Sequence, residues 1–135
     1  MRFLLDTNVI SDLMVQRPKV TARVNAQPAG VELITCAIVR GEVMFGIELL
    51  ALGRKRSDLE SQAAKYFALV SPQPVPVLAG DLFATTKLAC VRNGVVLNDN
   101  DLWIAATTLA LGATLVTRDK DFTRVAGLTI DDWSV

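Results

Sequence analysis

The spacing of apolar and polar positions changes several times along this chain, and each change predicts an element of secondary structure. Short apolar or β-branched runs that end at turn-forming residues predict strands. The predicted strands are Arg2–Leu5, Val31–Thr35, Val75–Leu78, Thr114–Thr117 and Leu128–Ile130. Apolar positions three and four residues apart predict helices between them. The predicted helices are Val9–Met14, Pro18–Ala26, Ala37–Leu52, Ser57–Val70, Leu82–Asn93 and Leu102–Gly112.

Local signals determine several of these boundaries. Ser57 and Glu60 have the spacing of a capping box, so a helix is expected to begin there, after a basic turn at Arg54–Arg56. The proline-rich segment Ser71–Pro76 is expected to be a loop. Strands that alternate with helices predict a single α/β domain over residues 1–135, with a mostly parallel sheet. In such sheets the ligand site lies at the carboxyl ends of the strands.

Composition narrows the possible chemistry. Lys and Arg number 14 and so do Asp and Glu, so the net charge is zero, which excludes a uniformly basic nucleic-acid-binding surface but not a local basic patch. The chain has no histidine, which excludes Ser-His-Asp triads, Cys-His pairs and His-ligated zinc. Cys36 and Cys90 stand in apolar surroundings and are expected to be buried and reduced. With no signal peptide or membrane span in the pattern, a soluble cytoplasmic protein is expected.

The acidic residues are concentrated at the ends of predicted elements. Asp6 follows the first strand, Asp119 and Asp121 follow the strand that ends at position 117, and Asp101 stands at a helix N-terminus. A parallel sheet would bring these acids to one edge, where Glu42 could join them from a helix. Clustered carboxylates repel one another unless a counter-charge is present. The pattern therefore predicts a site for Mg²⁺ or Mn²⁺, ions that can activate water against a phosphodiester.

Each of these acids also has a purely structural explanation. Asp6 and Asp101 could be helix N-caps, and Glu42 could be a solvated helix residue. The acids near position 120 could be turn residues paired with Arg118 and Lys120. A functional cluster is favoured because four separate segments each supply an acid at a place that the topology brings together.

Four blocks of the chain resemble the PIN-domain family. The blocks are Leu4–Ile10, Val39–Gly46, Asn100–Thr107 and Leu115–Phe122, and they follow the family's order over essentially the whole chain. Among PIN proteins the chain looks most like the VapC toxins of type II toxin–antitoxin modules. This resemblance implies a three-layer α/β/α fold and a ribonuclease dependent on Mg²⁺ or Mn²⁺. It also implies a homodimer and a cognate VapB-type antitoxin as partner.

The resemblance also implies which residues form the site. The catalytic and metal-binding acids would be Asp6, Glu42, Asp101 and Asp119, with Asp121 as a rival to the last of them. Neighbouring residues would support these acids or contact the RNA substrate. They are Thr7, Asn8, Arg40, Asp99, Thr117, Arg118 and Asp121, and Lys120 is a further candidate phosphate contact.

Two other functions compete with this interpretation. A phosphatase of the haloacid dehalogenase type also places an aspartate after its first strand, but it needs a second acid where this chain has Asn8. A catalytically silent PIN-like domain would serve as an RNA-binding or interaction module. Loss of an acid from the cluster would indicate such a module, and all four positions are acidic here.

Overall fold

A sheet of five parallel strands forms the centre of the protein in a computed structural model that describes residues 1–135. The strands are β1 (Arg2–Leu5), β2 (Glu32–Cys36), β3 (Ser71–Gln73), β4 (Thr114–Val116) and β5 (Ile130–Asp131). Their order across the sheet is β3-β2-β1-β4-β5, and every neighbouring pair is parallel. The predicted parallel α/β sheet is confirmed.

Six α-helices and one 3₁₀ helix connect the strands. They are α1 (Thr7–Met14), α2 (Pro18–Asn25), α3 (Ala37–Glu48), α4 (Arg54–Leu69), α5 (Val77–Arg92), α6 (Asp99–Ala110) and the 3₁₀ helix Lys120–Arg124. Helices α1 to α4 pack together, and so do α5 and α6. Since crossovers between parallel strands are right-handed, this strand order puts the two groups on opposite faces of the sheet. The predicted three-layer α/β/α fold is confirmed. None of the helices combines the length and the apolar character needed to span a bilayer.

The inner strands are apolar because helices cover both of their faces. Leu4, Leu5, Leu115 and Val116 have no solvent exposure, as expected for strands buried on both sides. Thr35 is the one polar strand residue that is buried, and its hydroxyl donates to the Leu5 carbonyl at 2.7 Å, which satisfies the group inside the core.

The chain order reverses between β1 and β4. Strands β1, β2 and β3 proceed to one side of the sheet, whereas β4 and β5 lie on the other. Leu5 is paired with Val116, and the next amide, that of Asp6, donates to the Val116 carbonyl at 3.0 Å. A crevice forms at the carboxyl ends of the strands at such a switch point, which is where open α/β sheets bind ligands.

The third strand does not lie where the sequence predicted it. The expected strand Val75–Leu78 is wrong, because β3 occupies Ser71–Gln73 within the expected loop and α5 already begins at Val77, five residues before the prediction. Pro72 lacks an amide donor, and its place in an edge strand accounts for its tolerance there. Pro76 supplies the extended N-cap residue of α5.

The expected capping box of α4 is also wrong. The helix begins at Arg54, so the predicted basic turn is its first turn, and the Ser57 amide donates to the Gly53 carbonyl at 3.0 Å. Gly53 has a φ of +154°, a conformation that glycine accommodates readily, and no side chain caps the helix. Arg56 holds this turn through ion pairs with Glu48 and Glu60, both at 3.1 Å. Of these contacts, the one with Glu48 comes from the last residue of α3, outside the segment that carries the capping signal.

Candidate active site

Asp6 lies at the switch point, directly after β1, and is almost fully buried. Its Oδ1 accepts from the Thr7 amide at 2.8 Å, so Asp6 is indeed an N-cap, that of α1. Its Oδ2 accepts from the Thr117 hydroxyl at 2.8 Å and from Asn8 Nδ2 at 3.2 Å. Burial raises the pKa of Asp6 although these donors favour its charged form. Asp6 can therefore cap α1 with one carboxylate oxygen and still belong to a functional cluster.

Thr117 joins the turn after β1 to the turn after β4. Its hydroxyl is buried, donates to Asp6, and accepts from Asn8 Nδ2 and from the Asp119 amide, each at 3.0 Å. Asp119 in turn accepts from the Asp121 amide at 2.9 Å and so caps the 3₁₀ helix. One hydroxyl thus sets the relative positions of the acids that follow the two central strands.

Glu42 reaches this edge from α3 and is half-buried. Its Oε1 accepts from the Thr7 hydroxyl at 2.7 Å, and its Oε2 accepts from Asn100 Nδ2 at 3.4 Å. Contacts from α1 and α6 therefore orient both carboxylate oxygens, unlike those of a freely solvated helix residue.

Asp101 is in the first turn of α6 but does not cap it. Asn98 is the N-cap, and its side-chain oxygen accepts from the Asp101 amide at 2.8 Å. The simple cap interpretation of Asp101 is therefore wrong. Its carboxylate is left half-buried among the other acids.

Several of the predicted acids lie close enough to Asp101 to affect its pKa. Burial and like charges raise its pKa to about 6. The charges responsible, in decreasing order, are those of Asp6, Asp119, Glu42 and Asp121. Asp119 and Glu42 also raise the pKa of Asp6. Asp119 therefore affects both Asp6 and Asp101, and Asp121 affects Asp101 less than the other three acids do.

The donor set fits a hard divalent cation. All four acids offer carboxylate oxygens, the ligands that Mg²⁺ and Mn²⁺ prefer, and their mutual repulsion would fall on binding a cation. No three His, Cys, Asp or Glu side chains are already arranged around one point at metal-ligand distances. A shared ion would therefore require the half-buried carboxylates to move towards Asp6, which its three donors hold in place.

Two predicted site residues face elsewhere. Asp99 is exposed and pairs with Lys87 at 3.0 Å. Arg40 packs its guanidinium over the Phe67 ring, 4.9 Å from the centroid, so the prediction that it contacts phosphate beside Glu42 is not supported. Residues two apart on a helix are about 200° apart around its axis, which explains why Arg40 and Glu42 cannot face the same site.

Sequence reasoning missed two residues that organise the site. Asp12 is buried and forms an ion pair with Arg118, whose amide also donates to Asn8 Oδ1 at 3.3 Å. The available signal was its position four residues after Asn8, which places it on the same face of α1. Asn100 was noticed only within its motif, although its amide holds Glu42.

The cysteines agree with the prediction that both are buried and unpaired. Cys36 ends β2 next to the cluster. Burial, together with smaller effects from the charges of Asp6 and Glu42, raises the pKa of its thiol. The thiol therefore stays protonated, and we assign Cys36 a packing role.

Comparisons with known proteins agree with this geometry. The family model described as the PIN domain matches residues 3–128. Ribonuclease VapC1 of Haemophilus influenzae strain R2866 is 30% identical over 141 residues, covering 99% of each chain. VapC ribonuclease Y4jK of Sinorhizobium fredii is 32% identical over 139 residues, covering 94% of each chain. The solved structure of VapBC-1 from nontypeable Haemophilus influenzae superposes with a TM-score of 0.88 at 26% identity, covering 100% of each chain. The chain therefore belongs to the PIN-domain family and is related, within it, to the VapC ribonucleases.

Proposed function

We propose that this protein is a divalent-cation-dependent endoribonuclease that acts as the toxin of a type II toxin–antitoxin module. The observation that carries the proposal is the concentration of negative charge at the switch point, where neighbouring acids help to raise the pKa of Asp101 to about 6. A cluster of like charges destabilises the fold, so folding alone does not account for it. Acids with perturbed pKa values in a crevice indicate a functional site. The names of the similar VapC ribonucleases support RNA as the substrate.

In this proposal Asp6 and Asp101 hold the cation, Glu42 completes the site directly or through water, and Asp119 is the fourth acid. A divalent ion bound there would supply a water of lowered pKa and would offset charge on the phosphoryl oxygens. Hydrolysis by water leaves a 5′-phosphate and a 3′-hydroxyl. No attack by the 2′-hydroxyl is required, so the absence of histidine is no obstacle.

The other polar residues position the acids. Thr117 and Asn8 restrict Asp6 to one orientation, and Thr7 does the same for Glu42. Outer contacts of this kind set ligand geometry, and their loss typically reduces activity or metal affinity 10- to 100-fold. Asn8 donates its amide to Asp6, so it occupies the place of the second acid that a phosphatase of the dehalogenase type would need.

Purified protein and single variants test the catalytic assignment. The wild-type protein should cleave end-labelled RNA in the presence of Mg²⁺ or Mn²⁺, and EDTA should abolish this cleavage. The Asp6→Asn variant should be folded but inactive. Asp99→Asn is the control, because Asp99 is exposed and pairs with Lys87, so its replacement removes one carboxylate charge from outside the acid cluster. Mapping of 5′-phosphate ends in cellular RNA after induced expression would identify the substrate.

The outcomes separate the competing functions. Equal cleavage or equal growth arrest by wild type and a folded Asp6→Asn variant would contradict the proposed site. RNA binding without cleavage at any divalent ion concentration would instead indicate a silent PIN module.

We also propose a homodimer and a VapB-type antitoxin as partners. The name of the similar VapBC-1 structure supports the antitoxin. An exposed apolar row at Phe45, Leu49 and Leu52, on and just after α3, supports self-association, since large apolar patches are uncommon on monomers. Light scattering should show a dimer that Leu49→Arg weakens, whereas Val96→Arg, at an exposed valine in a loop, should not. The free cysteines fit a reducing cytoplasm.

A further inference from the structure

A polar cleft lies beside the acid cluster, between the first turn of α2 and the chain that leaves β4. We call it the α2 cleft and define it by its polar lining of Asp12, Arg17, Lys19, Arg118 and Ser134. Its volume is about 510 Å³, which is room for a phosphate and its ribose. None of the activities proposed above requires this cleft.

The α2 cleft is next to the switch point. Arg118 directly follows Thr117, which holds Asp6, and the Arg118 amide donates to Asn8 Oδ1 at 3.3 Å. Asp12 is the sixth residue of α1, so it lies roughly 9 Å along the helix axis from the acid end. A chain of nucleotides that passes the cluster could therefore reach the cleft within one or two residues.

Two cations of the cleft have no partner in the protein. Arg118 is neutralised by Asp12, and the Ser134 hydroxyl donates to Asp132 at 2.6 Å. Arg17 and Lys19 are exposed and form no ion pair. The fold therefore leaves two positive charges available at one side of the cleft.

The position of these cations works against the stability of the helix. Arg17 is the N-cap residue of α2 and Lys19 is in its first turn, where no side chain caps the free amides. A positive charge at a helix N-terminus is unfavourable, whereas an anion bound there is favoured by the same dipole. Two cations at this position do not stabilise the fold. An anion bound between them would stabilise both the cations and the helix N-terminus.

We propose that the α2 cleft binds a backbone phosphate of the RNA substrate, one or two nucleotides away from the bond that is cleaved. The proposal rests on the proposed ribonuclease function. A cluster of four acids repels RNA, and the chain as a whole has no net positive charge to counter that repulsion. Free cations next to the acids offset it locally, and contacts to phosphate would set the register of the strand without reading its sequence.

Binding measured without catalysis tests the cleft separately from the active site. The probe is a fluorescent single-stranded RNA of mixed sequence, titrated in EDTA at a series of KCl concentrations. The double variant Arg17→Gln/Lys19→Gln should raise Kd about tenfold at low salt and reduce the salt slope of log Kd by about 0.7, for one lost phosphate contact on a single strand. Both residues are exposed, so the variant should unfold at the wild-type temperature or above it.

The chain offers a matched control. Arg54 and Lys55 are also an exposed Arg and Lys in the uncapped first turn of a helix, but they line a separate groove with Asp58. Arg54→Gln/Lys55→Gln removes the same charge and should keep the wild-type salt slope.

Each outcome decides the proposal. If wild type cleaves RNA and the Arg17/Lys19 double variant keeps the wild-type slope, or matches the control, the cleft proposal is wrong and the ribonuclease proposal stands. If wild type binds no RNA in EDTA but cleaves it with Mg²⁺ or Mn²⁺, the cleft proposal alone is wrong. If wild type neither binds nor cleaves RNA, both proposals are wrong. An oligoglutamate peptide of equal charge is a second probe. Loss of affinity for this peptide alone would assign the cleft to an acidic protein segment and overturn the assignment to RNA.

Discussion

Replacement of Asp101 by asparagine measures how strongly burial and the neighbouring acids disfavour its charge without a metal. The pKa of Asp101 is raised from 3.8 to about 6 in the folded protein. The folded state therefore holds this proton more tightly than the unfolded state does. A group of this kind favours folding at low pH, and that contribution is lost as the pH rises from about 4 through about 6. Wild type without metal should accordingly lose stability over this range.

The size of the effect follows from the pKa. A change from 3.8 to about 6 corresponds to ~3 kcal/mol of unfolding free energy if taken whole. Asp101 is only half-buried, so solvent screening reduces the figure, and we expect about 1 kcal/mol. Asparagine does not ionise, so the stability of metal-free Asp101→Asn should fall by about 1 kcal/mol less than that of wild type between about pH 4 and about pH 7.

Urea unfolding in EDTA across this pH range is the assay. Asp99→Asn is the control, since it removes a charge from the same first turn of α6 and suffers the same loss of interaction with the helix dipole. Asp99 is exposed and paired with Lys87 outside the acid cluster, so the Asp99→Asn variant should still lose stability as the burial and repulsion of Asp101 require. The reasoning would be refuted if Asp101→Asn kept the wild-type pH dependence, or if Asp99→Asn altered it equally.

Three further predictions concern the surroundings of the site. Thr117→Val should reduce kcat roughly 10- to 100-fold and destabilise the fold by about 1–3 kcal/mol, because three partners lose a buried hydroxyl. Thr117→Ser keeps the hydroxyl, so its kcat and its unfolding free energy should be close to those of wild type. Arg118→Ala should cost about 2 kcal/mol in urea unfolding, because it leaves the buried Asp12 unpaired, whereas Asp12→Asn leaves a half-exposed arginine and should cost under about 1 kcal/mol. Trp133→Ala should lower unfolding free energy by about 3–5 kcal/mol although it lies near the C-terminus, since the indole is buried against Phe3; a near-neutral result would contradict this packing.

Much of the site follows from local pattern and general topology. Asp6 comes directly after β1 and Asp119 three residues after the end of β4, and parallel strands put such residues at one edge regardless of the details of packing. The absence of histidine and the clustering of acids then favour oxygen ligation of a hard cation. In the structure these acids are near enough to one another to raise the pKa of Asp101, and their shared role in binding a cation stays a prediction.

Local pattern was insufficient where two neighbours had equal claims. Asp99 and Asp101 are both acids in the first turn of α6, yet only one lies in the cluster, because the packing of α6 on α5 sets its rotation. The direction of Arg40 was equally hidden from the sequence, since the rotation of α3 turns its side chain towards Phe67. In both cases the spacing predicted the position of the residue along the helix but not the direction in which its side chain points.

The sequence alone determined the alternation of strands and helices, the burial of the cysteines and the edge at which the acids gather, because these depend on period, polarity and parallel topology. The tertiary structure decided what depends on contacts between distant segments. It placed β3 within a proline-rich segment and began α4 at Arg54. It also paired Asp12 with Arg118, 106 positions away. Such contacts form only when the chain is packed, so no local window of the sequence contains them.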